Sequence, residues 1–255
     1  MKLTGNTILV TGGGSGIGRG LAEALHHLGN TVIIAGRRRD VLDQVAAANP
    51  GMDTVELDIA DPASIARASK QVLDEHPDLN VLVNNAGIML ADDAAAPLDE
   101  DVLTAEVTTN LLGTIRTTSA FIDHLKRRPN ATVVYNSSTL AFTPLAPYAV
   151  YSATKAALHS YALSQRFALR GSSVRVQEIV PPWVATGLVG AEGDQRAMPV
   201  EAFIAQTIEA LDTDSEEIVV EQARVYRDNA GPNEHAYVTE LNTFMTTQLQ
   251  AQPQA

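Results

Sequence analysis

The 255-residue sequence has no cysteine, a single tryptophan and only 5% aromatic residues. Without cysteine there can be no disulfide framework and no thiolate metal site, which suits a reducing compartment, and a cytoplasmic location is expected. Basic residues are scarce as well: 18 Lys and Arg face 30 Asp and Glu, a formal net charge of −12. Sequence-independent nucleic-acid binding draws on clustered Lys and Arg, so no nucleic-acid partner is expected. The longest uncharged stretch, Pro129 to Thr154, holds Asn130, Asn136, Ser137, Ser138 and three prolines. It is not a membrane span, and no membrane partner is expected. Met1 to Gly5 runs straight into a strand-like segment, so no signal peptide is expected either. Hydrophobic residues at 45% and charged residues at 19% are ordinary for a globular chain long enough to bury a sizeable core.

Short β-branched runs alternate with longer amphipathic ones. The apolar runs are Thr7 to Val10, Thr31 to Ala35, Thr54 to Leu57, Val81 to Val83, Thr132 to Tyr135, Val174 to Ile179 and Ile218 to Val220. Their nearly continuous apolar character suits strands covered on both faces. Helical patterns lie between them at Gly16–Leu28, Val41–Ala48, Pro62–His76, Asp99–Lys126, Ser152–Leu169 and Pro199–Leu211. Asp40 and Asp61 stand where helix N-caps belong, and Pro62 and Pro199 suit first helical turns. Repeated strand–helix units predict an α/β fold: a single doubly wound (Rossmann) domain over residues 1–245, with about seven parallel strands. The Gln-rich segment 246–255 is expected to be a disordered tail.

The first strand leads into Thr11-Gly12-Gly13-Gly14-Ser15-Gly16-Ile17-Gly18 and then a helix. Glycines here let the backbone turn sharply and approach a pyrophosphate at the helix N-terminus. Where an NAD-preferring fold carries a carboxylate after the second strand, this chain has Gly36-Arg37-Arg38-Arg39. Guanidinium groups favour the 2′-phosphate of NADP(H) over NAD(H). Arg37 is the first choice of ligand and Arg38 the second, with Ser15 able to add a hydroxyl. Tyr151 and Lys155, four apart in a helical pattern, share one face. An ammonium there stabilises phenolate and draws the phenol's pKa of about 10 toward neutrality, making Tyr151 a general acid/base.

Thr11 to Gly18, Asn84-Asn85-Ala86-Gly87 and Tyr151-Ser-Ala-Thr-Lys155, in that order, resemble the short-chain dehydrogenase/reductase family over roughly residues 3 to 225. The resemblance implies hydride transfer between NADP(H) and a small carbonyl or alcohol substrate. It places Asp58 and Ile59 at the adenine and Asn84, Ala86 and Gly87 along the ribose. Lys155 binds the nicotinamide ribose. Ser138, thirteen residues before Tyr151, polarises the carbonyl, with neighbouring Ser137 as its rival, and Asn110 holds a water in a proton relay from Lys155. Past Pro181, the backbone near Val184 and the Thr186 hydroxyl bind the carboxamide. The family's usual Pro-Gly is Pro181-Pro182 here, which stiffens that wall.

Leu140, Phe142, Leu145, Tyr148, Trp183 and Leu188 are candidate pocket residues, with a mobile lid over about 187–199 that contains Glu192, Asp194 and Arg196. The adjacent histidines His26 and His27 diverge on a helix, and no catalytic metal is expected. Similar proteins dimerise through the helices carrying Asn110 and Tyr151. A homodimer is therefore expected, and the altered C-terminal sequence makes a tetramer the less secure assembly. The competing reading is a regulatory or scaffold protein that binds NADP(H) without turnover.

Overall fold

The pleat sends successive side chains to opposite faces, so nearly continuous apolar runs demand cover on both sides of a sheet. The computed structural model, which describes residues 1–190 and 193–250, has that arrangement. Strands β1 (Thr7–Thr11), β2 (Thr31–Gly36), β3 (Asp53–Glu56), β4 (Val81–Asn84), β5 (Ala131–Asn136), β6 (Val174–Val180) and β7 (Glu217–Val219) pair in parallel in the order β3-β2-β1-β4-β5-β6-β7. On one face Ile8, Val10, Val32 and Ile34 pack against helix α1 (Gly16–His27), α2 (Arg39–Ala48) and α7 (Val200–Leu211), through Leu21, Leu25, Leu42 and Phe203. On the other, Leu9, Ile33, Leu82 and Tyr135 meet α3 (Pro62–Glu75), α5 (Thr114–Leu125) and α6 (Ala149–Ala168) through Ile65, Phe121, Leu158 and Ala162.

The chain winds outward from β1 to β3 and then returns to the centre at β4. This reversal opens a crevice beyond the C-terminal ends of β1 and β4, the position where such sheets hold ligands. The expected single-domain doubly wound sheet is therefore present, and among the described residues no helix is long and apolar enough to cross a membrane.

Several local expectations are corrected. Asp61 caps α3, accepting from the Ala63 and Ser64 amides at 2.9 and 3.1 Å. Asp40, by contrast, lies inside the first turn of α2, where its charge meets the positive end of the helix, and Arg38 occupies the cap. Pro199 is the cap of α7 rather than a first-turn residue. The helix expected over Asp99–Lys126 divides into α4 (Glu100–Glu106), a π-helical stretch Val107–Gly113, and α5. Two helices had no counterpart in the sequence reading: α8 (Arg224–Asp228) and α9 (Glu234–Gln250). The latter carries helix through the first part of the expected tail, while 251–255 lie outside the described residues.

Leu82 sits at the centre of the sheet with no exposed surface. Leu82→Ala should cost about 2–5 kcal/mol, the loss typical of a buried leucine truncated in a core that cannot collapse. Urea unfolding should show it as a lower midpoint at an unchanged slope.

Candidate active site

Thr11 ends β1, and its hydroxyl donates to the Val83 carbonyl at 3.3 Å while accepting from the Asn85 and Ala86 amides at 3.0 Å each. The Asn85 side chain donates back to the Thr11 carbonyl at 3.0 Å. The glycine turn after β1 is thus stitched to the loop after β4, and neither Thr11 nor Asn85 was singled out from sequence. The join leaves no room for side chains. Gly12 has φ +66°, and a Cβ there would lie 2.9 Å from the Ala86 Cα; at Gly18 it would lie 2.3 Å from the Gly12 carbonyl oxygen. Gly14 and Gly16 complete the turn, with Thr186 packed 3.3 Å from the Cβ position of Gly16. Ile17 turns toward the core.

Exposed Ser15 begins α1 with no side-chain cap bond, and the first turn carries no acidic residue. The first amides of the helix are left to attract an anion. Arg37 and Arg38 are exposed just past β2, and neither joins an ion pair among the described residues, whereas Arg39 pairs with Asp43 at 2.8 Å. The cradle fits the diphosphate of a dinucleotide. On the adenine side, Asp58 fixes the turn after β3 by accepting from the Ala60 amide at 2.9 Å. Ile59 is buried against Gly113. The Asn84 amide donates to the Thr118 hydroxyl at 2.9 Å, which braces α5 against the end of β4. Ala86 and Gly87 border the crevice, and a Cβ at Gly87 would lie 3.1 Å from the Asn110 Oδ1 and 3.8 Å from the Lys155 Nζ.

Asn110 lies within the π-helical stretch, a conformation that recurs at functional sites. Its Oδ1 accepts from the Ile88 amide at 2.8 Å, and its Nδ2 donates to the Ile88 carbonyl at 2.8 Å and to Thr154 Oγ1 at 3.4 Å. One turn earlier, fully buried Glu106 accepts from the Leu90 amide at 2.7 Å. The two side chains act on residues 88–90 as an adjacent strand would. The Asn110 carboxamide is thus bonded to Ile88 and Thr154.

Tyr151 and Lys155 project from one face of α6, both buried. The Lys155 ammonium donates to the Asn136 carbonyl at 2.8 Å and stands 5.4 Å from the centroid of the Tyr151 ring. Ser138 stands beside the phenol and accepts from the Leu140 amide at 3.1 Å, whereas Ser137 donates to the Ile179 carbonyl at 3.2 Å. Burial pushes the phenol above its ordinary pKa, opposed by the neighbouring Ser138 hydroxyl and reinforced by Glu106. Burial also lowers Lys155 to about 8, against the pull of the Glu178 and Glu106 carboxylates.

The candidate pocket residues separate into two groups. Leu140 and Tyr148 are half-buried beside the loop leading to Tyr151, while Trp183 and Leu188 are exposed on the opposite lip. Leu145 and Phe142 are both buried. The Phe142 ring stacks edge-on against His159 at 4.7 Å and lies beneath Arg227 at 4.7 Å. The Pro181 carbonyl accepts from the Thr139 amide at 2.9 Å, tying β6 to the Ser138 turn. Val184 bridges to Met198, closing the base of the segment expected as a lid. Within it Asp194 and Arg196 pair at 2.6 Å, and the guanidinium lies 5.1 Å over the Trp183 ring. Ala191 and Glu192 lie outside the described residues.

Comparison with known proteins gives one answer. The short chain dehydrogenase family matches residues 6–197. The chain is 38% identical over 249 residues to "Uncharacterized oxidoreductase DltE" of Bacillus subtilis, covering 95% of this chain and 99% of that one. It is 28% identical to the NADP-dependent 3-hydroxy acid dehydrogenase of Schizosaccharomyces pombe, over 92% and 98% of the two chains. A short chain dehydrogenase from Burkholderia cenocepacia, crystallised in complex with NADP, superposes with a TM-score of 0.84 at 27% identity, over 94% and 99% of the two chains.

Gly18→Ala tests the cradle. Its methyl would press on backbone, which cannot rotate aside, so a loss of about 1–3 kcal/mol is expected in thermal or urea unfolding. Dinucleotide affinity, read by fluorescence titration, should fall as well.

Proposed function

The chain belongs to the short chain dehydrogenase family and is an oxidoreductase, and from its site we propose that it interconverts a ketone or aldehyde and an alcohol with NADP(H). The observation that carries this reading is the convergence of buried Tyr151, Lys155 and Ser138 beside the mouth of a glycine-lined crevice. Arg37 and Arg38 would hold the 2′-phosphate of NADP(H), Lys155 its ribose and Val184 and Thr186 its carboxamide, and the chemistry the cofactor would supply is hydride transfer. Ser138 and Tyr151 hold the substrate oxygen. A phenol whose pKa is raised by burial is protonated at neutral pH, so Tyr151 is set to give its proton to that oxygen as negative charge develops there. In the oxidative direction it takes the hydroxyl proton back. Lys155 keeps positive charge beside the ring, and Asn110 fixes the segment that borders both.

Leu140, Tyr148, Trp183 and Leu188 present mainly apolar walls, which favours a medium-sized carbonyl compound with hydrophobic substituents. We expect a homodimer. A groove of about 880 Å³ lined by Leu98, Val102, Leu103, Val107, Val150 and Ala153 runs across the α4 and α6 faces, and a second copy would cover it.

Tyr151→Phe should retain NADPH affinity and lose at least about 10²-fold in turnover, as removal of a general acid entails. Consumption of NADPH across a panel of ketones and aldehydes measures this, and unchanged turnover would exclude the phenol from the chemistry. Arg37→Ala should weaken NADPH by roughly 10-fold or more while sparing NADH, consistent with one lost charge-assisted hydrogen bond. Equal losses for the two would refute the phosphate assignment.

A further inference from the structure

Outside the reacting groups, one cluster of ionisable side chains is without a role. Glu178 on β6 has no exposed surface. Its Oε2 meets His159 Nδ1 at 2.8 Å, while its Oε1 is buried with no hydrogen-bond partner. A buried carboxylate with an open oxygen is costly unless a cation stands nearby.

The sheet register places Glu178 beneath the helix that carries a buried cation. Glu178 pairs with Tyr135 on β5, so both side chains rise on the same face. Tyr135 packs edge-on against Tyr161 of α6, which places Glu178 under α6 as well. The residue after Tyr135 is Asn136, whose carbonyl holds Lys155. His159, the other partner of Glu178, lies one turn beyond Lys155 on α6. Lys155 spends one of its three donors on Asn136. Of the charges acting on it, Glu178 on β6 is the foremost and Glu106 on α4 the next.

We propose that Glu178 is a positioning residue for the active-site amine: pinned by His159, it is the buried counter-ion that keeps Lys155 an ammonium. On its far side Glu178 faces β7 and α8. There Glu217 pairs with Arg227 at 2.8 Å, near Arg166 of α6. Arg227 also feels Glu178 and covers Phe142, which in turn packs on His159. The result is a row of polar groups from Lys155 through Glu178, His159 and Glu217 to Arg227 at the surface. The rival reading is a divalent cation among His159, Glu178 and Glu217, whose ligand atoms lie within 4.8 Å of one another. Arg227 already neutralises Glu217, and an added cation would sit between two existing ones, so the counter-ion reading is favoured.

The inference rests on Lys155 being the working amine of the proposed reaction, and its test separates the two. The chain has four lysines, of which Lys2, Lys70 and Lys126 are exposed and only Lys155 is buried. Lysine ¹⁵Nζ NMR on the whole protein therefore isolates one buried amine. It should titrate near 8 in the natural protein and move down by about one unit or more in Glu178→Gln, while Glu178→Asp, which keeps the charge, should restore most of the shift. An unmoved Lys155 in Glu178→Gln overturns the proposal. So does a neutral Lys155 amine at pH 7 in the natural protein, a measurement that needs no variant to fold. The alkaline limb of kcat/KM should move down with the amine; a shifted amine with an unshifted limb supports the counter-ion and refutes the catalytic reading of Lys155. Zinc should leave the melting temperature unchanged, and a zinc-dependent rise that vanishes in Glu178→Gln would assign the cluster to a metal.

Discussion

Burying an ammonium is costly, and much of the site is arranged around the one on Lys155. An ion of that size loses several kcal/mol of hydration even after relaxation, and a single carbonyl cannot replace it. Lys155 has one direct acceptor, Asn136, and two buried carboxylates, Glu106 and Glu178, on different elements. Its place therefore depends on the end of β5, on β6 and on α4 together. Tyr151 and Ser138 gain their positions from the same constraint, since one shares the helix and the other follows the same strand.

The constraint also joins the two halves of the site. The Thr11 carbonyl accepts from Asn85, whose Oδ1 accepts from Asn136, whose carbonyl accepts from Lys155. A continuous line of hydrogen bonds thus runs from the glycine turn to the amine. The first two contacts involve short amide side chains with little freedom to reorient.

What was legible in the sequence was local. The strands were readable because their apolar runs answer to a sheet covered on both sides, and Tyr151 with Lys155 because helical geometry alone puts them on one face. The glycines were readable because Gly12 and Gly18 stand where no Cβ fits. What escaped depends on neighbours remote in the chain. Glu106 looks like an ordinary helix residue until Leu90 folds over it, and Glu178 reads as a strand residue until His159 reaches it. The contacts of Phe142 with His159 and Arg227, made past the short helical turn at Thr139–Ala141, join residues far apart in the chain. Helix α9 lacks a strong apolar stripe. Asn242 anchors it by bonding the Pro144 carbonyl and the Ala146 amide, a contact no periodicity announces.

The π-helical stretch between α4 and α5 makes the spacing of this region a fixed quantity. A regular helix advances about 100° per residue, whereas the wider π turn takes up one residue more with little change in the phase of the helix on either side. Glu106 and Asn110, four apart, hold Leu90 and Ile88 together, and taking out a residue between them would leave them three apart and upset that joint hold. This segment should therefore tolerate exchanges of side chain far better than a change in residue number.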